Sequence, residues 1–381
     1  MSEKNFLNIH VIISHNPSCL NRDDMNMQKS AIFGGVRRVR VSSQCLKRAI
    51  RKSEYYLNNL GEPSVRTRDL NRLKEIYARQ LKDSFSPDFV SEVIDRIAGA
   101  GKFNKKDKDN DKGEEDSDDK DTKGKQAVAP WSIMEVERIC KVIQQAQAQG
   151  EDLDEKSLKK LLEKESGPLL KAMSNSIDIA LSGRMATSGL MSSIDGALAL
   201  SHAITTHAVD ADIDWFTAID DLVVDEGEVG AGHLNTQEFS AGVFYRYASL
   251  NIRQLAANMG GATRPEALVV AAHLVHLLST VVPTAKQNSF AAFNPADMVM
   301  TSFSDMPLSA ANAFEQPVER DRKKGGYLIP SIKAFEDYMD RVYTGFGLDD
   351  RKAAFSLWNT ALEPKKATLE ELKKWVMNDG V

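Results

Sequence analysis

Residues 6–13 alternate, with Leu7, Ile9, Val11 and Ile13 on one side and Asn8 and His10 on the other. A period of two over that length predicts a half-buried strand. Residues 14–35 form a long polar connection, and connections of that size in compact domains usually carry function. The next apolar pattern has a different period. Leu46, Ile50, Leu57 and Leu60 share one helical face, opened by Ser42 or Ser43 as cap and stopped at Gly61-Glu62-Pro63. Lys47 and Arg51 stand one turn apart on this helix, as do Arg48 and Lys52, which makes its exposed flank basic.

Helical spacing recurs over residues 66–99, 131–149 and about 153–164, the last carrying Lys156, Lys159, Lys160 and Lys164 on its surface. Residues 104–125 hold seven Lys, nine Asp/Glu and no apolar side chain, so they cannot bury surface to offset ordering entropy. A disordered insertion is expected there. Residues 209–238 are expected to be largely irregular, and residues 239–247 to return as a strand. Helices are expected at 252–259 and 265–279, a strand-like run at 290–303, and a last helix opened by the capping pattern Thr368-Leu369-Glu370-Glu371. The fold class is α+β: a terminal β-α core, a helical insertion, an irregular loop, and late strands that complete the sheet.

Composition adds a charge asymmetry. The 381 residues carry a net charge of -5, which excludes a protein that coats nucleic acid by being basic throughout. Yet residues 1–60 hold ten Lys/Arg against four Asp/Glu, a local +6 that leaves -11 for the rest. Within residues 22–52 there are nine cations and two acids. A helix N-terminus flanked by hydroxyl and amide side chains can receive a phosphate, and Lys47 and Arg51 one turn on can hold the next. The bland alternative is a solvated basic face. Cys19, Cys45 and Cys140 are too few and too widely spaced for a disulfide framework or a zinc site. With no signal-peptide pattern and no apolar run long enough to span a bilayer, a cytoplasmic protein without membrane contact is expected.

Other candidates have two readings. Trp215-Phe216, among acidic neighbours that would repel a phosphate backbone, could project to stack on bases, but composition alone favours burial in its own domain's core. Met185 could be a core filler or a wedge. Asp23-Asp24 could serve a metal-assisted nuclease, but adjacent aspartates in a polar loop more often form turns. His273 and His276 lie one turn apart on an apolar helix without a partner motif and read as core or interface residues. Gly34-Gly35 and Gly260-Gly261 read as turns, and no nucleophile motif is present. No metal, cofactor or catalytic residue is assigned.

Several long blocks closely resemble the CasC family, backbone subunits of type I-E CRISPR Cascade complexes. They include Asn8-Ile9-His10-Val11, residues 17–29 (Pro-Ser-Cys-Leu-Asn-Arg-Asp-Asp-Met-Asn-Met-Gln-Lys), Val41-Ser42-Ser43-Gln44, residues 178–189, residues 212–218, Gln237-Glu238-Phe239-Ser240 and residues 291–300. The resemblance implies an RNA-recognition-motif-like (ferredoxin-like) palm at 1–60, 198–208 and 240–381. It also implies helical fingers at 61–197, interrupted by 104–125, and a thumb at 209–239. It implies a non-catalytic subunit that oligomerises along crRNA and presents the guide to target DNA. The other partners would be the large, small and cap subunits and the crRNA-processing endonuclease. It assigns Arg22, Ser42, Gln44, Lys47, Arg48 and Arg51 to the RNA backbone, and Trp215, Phe216 and Met185 to a displaced nucleotide. Lys156 and Lys160 would touch target duplex, although Glu163 stands where a third lysine is expected. The rival from the same resemblance is a metal-dependent RNA endonuclease of type III character, using Asp23 or Asp24.

Overall fold

The computed structural model describes residues 3–98, 129–150, 153–165, 169, 176–185, 193–217 and 234–381. Residues 104–125, expected to be disordered, lie outside them. The first elements are β1 (Phe6–Ser18), β2 (Ser30–Phe33), β3 (Val36–Val41), α1 (Ser43–Arg51) and α2 (Glu54–Leu60). Then come β4 (Val65–Thr67), α3 (Leu70–Gln80), α4 (Pro87–Ala98), β5 (Ala129–Trp131), α5 (Ile133–Ala148), α6 (Glu155–Lys164) and α7 (Ile177–Ser182). The later elements are β6 (Leu198–Leu200), β7 (Ala203–Thr205), β8 (Asp212–Thr217), β9 (Leu234–Asn251), α8 (Ile252–Asn258), α9 (Arg264–Thr280) and α10 (Gln287–Phe290). The chain closes with β10 (Met298–Ser304), α11 (Leu328–Phe346), β11 (Arg351–Ser356), β12 (Lys365–Lys366) and α12 (Leu369–Met377). The α+β class holds. Two compact units result: Met1–Asn59 with Ala199–Asn251 and Leu268–Val381, and Leu60–Leu198 with Ile252–Ala267.

The first unit is built on a sheet of order β12-β11-β10-β1-β9-β7-β3-β2, antiparallel except for the β11–β12 pair. β1 sits between β9 and β10, with His10 opposite Tyr247 and Met300. Both of its faces are covered. Ile12, Tyr245 and Met300 pack with Ile332, Phe335 and Met339 of α11, and on the other face Arg246 donates to the carbonyls of Leu278 and Val281 at the end of α9. Asn8, His10 and Ile12 are therefore buried as fully as Leu7, Ile9 and Val11. This corrects the half-buried strand expected from alternation. Polar residues on an internal face need partners. Asn8 accepts from the Tyr247 hydroxyl at 2.9 Å and donates to the Met306 carbonyl at 3.1 Å.

Other expectations shift for local reasons. The helix expected through Leu60 breaks after α1, where Ser53 Oγ donates to the Ile50 carbonyl and accepts from the Tyr56 N–H. The new phase buries Tyr56 and leaves Leu57 exposed. The helical spacing over residues 66–99 resolves into α3 and α4, whereas only the Met298–Ser304 end of the 290–303 run is a strand. Residues 209–238 are not irregular where described, because β8 pairs along the first part of β9. α11 was not among the expected elements, although Ile332, Phe335, Met339 and Val342 stand at helical spacing. Thr368 does cap α12, its Oγ1 accepting from the Glu371 N–H at 3.1 Å.

The β2–β3 turn shows why glycine is required at its tip. Gly34 has φ +60°, and a Cβ there would lie 1.6 Å from the Glu315 carbonyl oxygen. Gly34→Ala is expected to destabilise the protein by about 2 kcal/mol, read as a lower denaturant midpoint. In the second unit, Leu73 and Tyr77 of α3, Val93 and Ile97 of α4, Ile139 and Ile143 of α5, and Leu158 and Leu162 of α6 share one core. No helix among the described residues is long and apolar enough to cross a membrane.

Candidate nucleic-acid interface

The basic segment folds into a helix start that is bound to its own loop. Ser42 leaves β3 with extended dihedrals (φ -67°, ψ 148°), and its Oγ accepts the Cys45 N–H at 3.3 Å. The Ser42 N–H donates to Asn21 Oδ1 at 2.9 Å, and Cys45 Sγ donates to the Leu20 carbonyl at 3.8 Å. The 19–28 loop is thereby fixed against the N-terminus of α1. Farther along the loop, Gln28 Nε2 donates to the Ser18 carbonyl, and Gln28 Oε1 accepts from Ser240 Oγ. Ser42 is buried with its hydroxyl committed to the cap, whereas Gln44 is exposed.

Leu46 and Ile50 face the core and fix the rotation of α1. The opposite side carries Arg48, exposed, with Lys47 and Arg51 half-buried. Two further cations that the candidate set omitted stand beside it. Burial pushes the Cys45 thiol up, while the charges of Arg48 and Lys29 act against that rise. Burial lowers the His202 pKa, and Arg40 and Lys29 lower it further. Arg40 Nη1 donates to His202 Nδ1 at 2.9 Å. The backbone of Lys29 joins the loop to the sheet, its N–H donating to the Asn21 carbonyl and its carbonyl accepting from the Arg40 N–H, both at 2.9 Å. Its signal was available in the polar run just before β2.

One of the nine cations is removed from the count of ligand candidates. Arg38 is fully buried and donates to the carbonyls of Phe33, Thr205, Phe314 and Glu315. It holds the hairpin in place. In the 19–28 loop, Arg22 donates from Nη1 to Asn26 Oδ1. Asp23 Oδ1 accepts the N–H groups of both Met25 and Met27 at 2.9 Å, the work of a turn former. Among the described residues, no group of three His, Cys, Asp or Glu side chains could hold a metal ion. His273 and His276 pack on Tyr55: its hydroxyl lies 2.9 Å from His273 Nδ1, and its ring stacks on His276 at 3.8 Å.

Trp215 lies on β8 opposite Thr236 of β9 and is 63% exposed. Ile213, two positions earlier on the same face, is also exposed. Phe216 follows on β8, and its side chain lies outside the described residues.

In the second unit, α7 ends at Gly183, whose φ is +73° and whose Cβ would fall 2.6 Å from the Ile194 carbonyl oxygen. Arg184 then turns inward. It makes a two-pronged pair with Glu135, with Nη1–Oε2 at 2.6 Å and Nη2–Oε1 at 2.8 Å, and bridges to Ile194 through the backbone. Met185 follows and is 80% exposed. An anchored arginine followed by an outward methionine makes a fixed apolar projection. On α6, Leu158 and Leu162 are buried while Lys156, Lys160 and Glu163 are all exposed. Hydrogen bonds from Ser157 hold the Asp154 carboxyl below its ordinary value, with Lys156 and Lys160 adding to the effect.

A family model described as CT1975-like protein matches residues 7–378. The chain belongs to that family. Among solved structures, this CT1975-like chain is similar to a chain of a CRISPR RNA-guided surveillance complex, pre-nicking, at 26% identity and TM-score 0.75, covering 99% of this chain and 100% of the other. A chain of a second CRISPR RNA-guided surveillance complex matches at 22% identity and TM-score 0.61 over 99% and 100% of the two chains, a likeness of fold. No curated protein sequence matches. The kinship indicated by the sequence blocks, with backbone subunits of Cascade-type complexes, is borne out.

The structure brings Arg22, Ser42, Gln44, Lys47, Arg48 and Arg51 of this CT1975-like chain onto α1 and its attached loop. Trp215 and Phe216 lie together on β8 of the same unit, whereas Met185, Lys156 and Lys160 belong to the other unit.

Proposed function

We propose that this CT1975-like protein is a non-catalytic backbone subunit of a CRISPR Cascade complex of type I-E, gripping crRNA through phosphate and ribose. The observation that carries this reading is the start of α1: a capped helix N-terminus, sealed to the 19–28 loop, with Arg48 exposed on the helix and the Arg40 N–H of β3 bonded to the Lys29 carbonyl just before β2. Fixed cations and helix-end N–H groups recognise a backbone without reading base edges. A guide whose sequence varies requires that property, since its bases must stay free to pair with target DNA.

In this reading the sheet unit is an RNA-recognition-motif-like palm, the helical unit is the fingers, and β8 with the start of β9 is the base of a thumb. Copies assemble along one crRNA, and Trp215, Phe216 and Met185 act as wedges at a displaced nucleotide. Lys156 and Lys160 offer the fingers a cationic contact for target duplex, weakened by Glu163 on the same helix. Large, small and cap subunits and a crRNA-processing endonuclease complete the particle, which works in the cytoplasm.

Lys47→Ala combined with Arg51→Ala is expected to weaken guide binding for all guide sequences alike. The slope of log affinity against log salt should fall by about 1.4, two single-strand phosphate contacts. An unchanged slope with an intact particle would refute the assignment of α1. The endonuclease alternative predicts spaced cleavage of complementary RNA in Mg²⁺ that disappears with Asp23→Ala. The commitment of Asp23 to two backbone N–H groups favours the non-catalytic reading.

A further inference from the structure

The ribbon that carries Trp215 is joined to the rest of its unit at one narrow place. β9 pairs with β1 as far as Ser240, which stands opposite Ser18, and with β8 from Phe239 to Leu234. The Phe239–Ser240 step is therefore a joint between sheet and ribbon. A two-stranded ribbon is marginally stable alone and twists readily, so the sheet by itself does not set the ribbon's direction.

The joint is braced on both faces. Glu238 and Ser240 lie on one face of β9 and Phe239 on the other. Glu238 Oε2 accepts the Gln28 N–H at 2.9 Å, and Ser240 Oγ donates to Gln28 Oε1 at 2.9 Å. Gln28 is 7% exposed, and its Nε2 donates at 3.2 Å to the carbonyl of Ser18, the partner of Ser240 on β1. On the opposite face Phe239 packs against Phe290 with ring centroids 5.6 Å apart, and the Phe290 carbonyl accepts from Asn16 Nδ2 at 3.2 Å. A single buried glutamine thus spends its N–H, its amide nitrogen and its amide oxygen on the two strands that meet at the joint.

The same glutamine belongs to the loop sealed against α1. Gln28 forms an antiparallel bridge with Arg22, and the next residue, Lys29, donates its N–H to the Asn21 carbonyl at 2.9 Å. Asn21 in turn holds the Ser42 N–H at the start of α1. On the ribbon, Ile213 stands opposite Glu238 and Trp215 opposite Thr236, so both aromatic and aliphatic side chains share the Glu238 face. Hydrogen bonds and strand pairs therefore run without a break from the cap of α1 to Trp215, all within one unit. Identical copies repeated along one RNA displace nucleotides at a constant interval only if the wedge keeps one position relative to the grip in every copy.

We propose that Gln28 and Glu238 are positioning residues: they lock the β8–β9 ribbon to the 19–28 loop, so that Trp215 is held at a fixed distance from the RNA grip and sets an even spacing of displaced nucleotides. The proposal rests on the grip and wedge of the proposed function and adds what fixes the spacing between them.

The test uses the full chain assembled on its guide RNA and paired with complementary single-stranded DNA. Dimethyl sulfate then methylates the Watson–Crick nitrogens of unpaired guide bases, and displaced nucleotides report as evenly spaced reactive positions. A hydrogen bond to a carboxylate shifts a docking equilibrium about tenfold, so Glu238→Ala should lower the contrast of that pattern by about half or more. Its salt slope for guide binding should stay at the wild-type value, because Asn21 and Leu20 still fix the loop on α1. Glu238→Gln should keep the pattern, since its amide oxygen can accept the Gln28 N–H. Should Glu238→Ala fail to fold, Ser240→Ala, which removes the other bond to Gln28, takes its place with the same expectations. An unchanged pattern in the alanine variant overturns the proposal and leaves the wedge standing. Loss of contrast together with a lower salt slope, or equal loss in Glu238→Ala and Glu238→Gln, would give Glu238 a merely structural role and overturn it as well. If the wild-type particle itself shows no evenly spaced positions, the wedge reading falls and the proposal with it.

Discussion

Glu135→Ala should destabilise the second unit by about 3–5 kcal/mol, because it leaves the Arg184 guanidinium buried beside an empty site. The pair is two-pronged, with side chains 0% and 6% exposed, so water cannot readily replace the lost carboxylate. Chemical denaturation followed by a probe in the helical unit measures the loss. Replacing both partners with Met should cost less than removing Glu135 alone, since paired apolar groups leave no uncompensated charge. The consequence reaches Met185 through one peptide bond, since it follows the held Arg184 and is 80% exposed. Less than 1 kcal/mol lost in Glu135→Ala would mean that the arginine has an equally good alternative partner and that Met185 is fixed by other means.

Mild acid is expected to weaken the sheet unit steeply, through two histidines. Burial lowers the pKa of His10 to about 3, beneath Tyr247 and Phe335 and within reach of the Tyr245 hydroxyl. Burial, aided by the Arg246 charge, lowers that of His15 to about 3 as well. Both rings stay neutral in the folded protein and protonate near pH 6.5 once unfolded. Below about pH 6.5 the unfolded chain binds the additional protons. The associated stability is therefore fully present above that pH and is lost as pH falls toward 3. On the order of 2 kcal/mol per histidine should be gone by pH 5. Denaturant midpoints at pH 7 and pH 5 test this, and His15→Gln should flatten the dependence. A flat profile across that range would show that these rings titrate normally.

What could be read from the sequence was whatever depended on neighbours along the chain. The cap at Ser42, the helical face of Leu46 and Ile50, the turn at Gly34-Gly35 and the Thr368 cap are local, and they fold as their residue types require. Features set by distant contacts were hidden. Alternation in β1 signals a strand, but the helices that cover it are α9 and α11, so the burial of Asn8 and His10 could not be inferred from their own segment. Arg38 looks like its neighbours Arg37 and Arg40, and only the carbonyls of Thr205 and Phe314 make it a structural cation. Lys29 was omitted although its signal is local, since it directly follows the 19–28 loop in the polar run before β2. The candidate helix was legible because helix, cap and charge run coincide within ten residues.

The central place of β1 also bears on how the chain is made. His10 meets Tyr245 across 235 positions of sequence, and Asn8 reaches Met306 across 298. Until those later segments leave the ribosome, the strand has neither of its neighbours and neither of its covering helices. At ordinary elongation rates of about 5–20 residues per second, that interval lasts some tens of seconds. A strand with apolar side chains and two open edges is in that state a template for pairing with other chains. Expression at lower temperature or with added holdase chaperones should therefore raise soluble yield more than stabilising substitutions in the finished sheet.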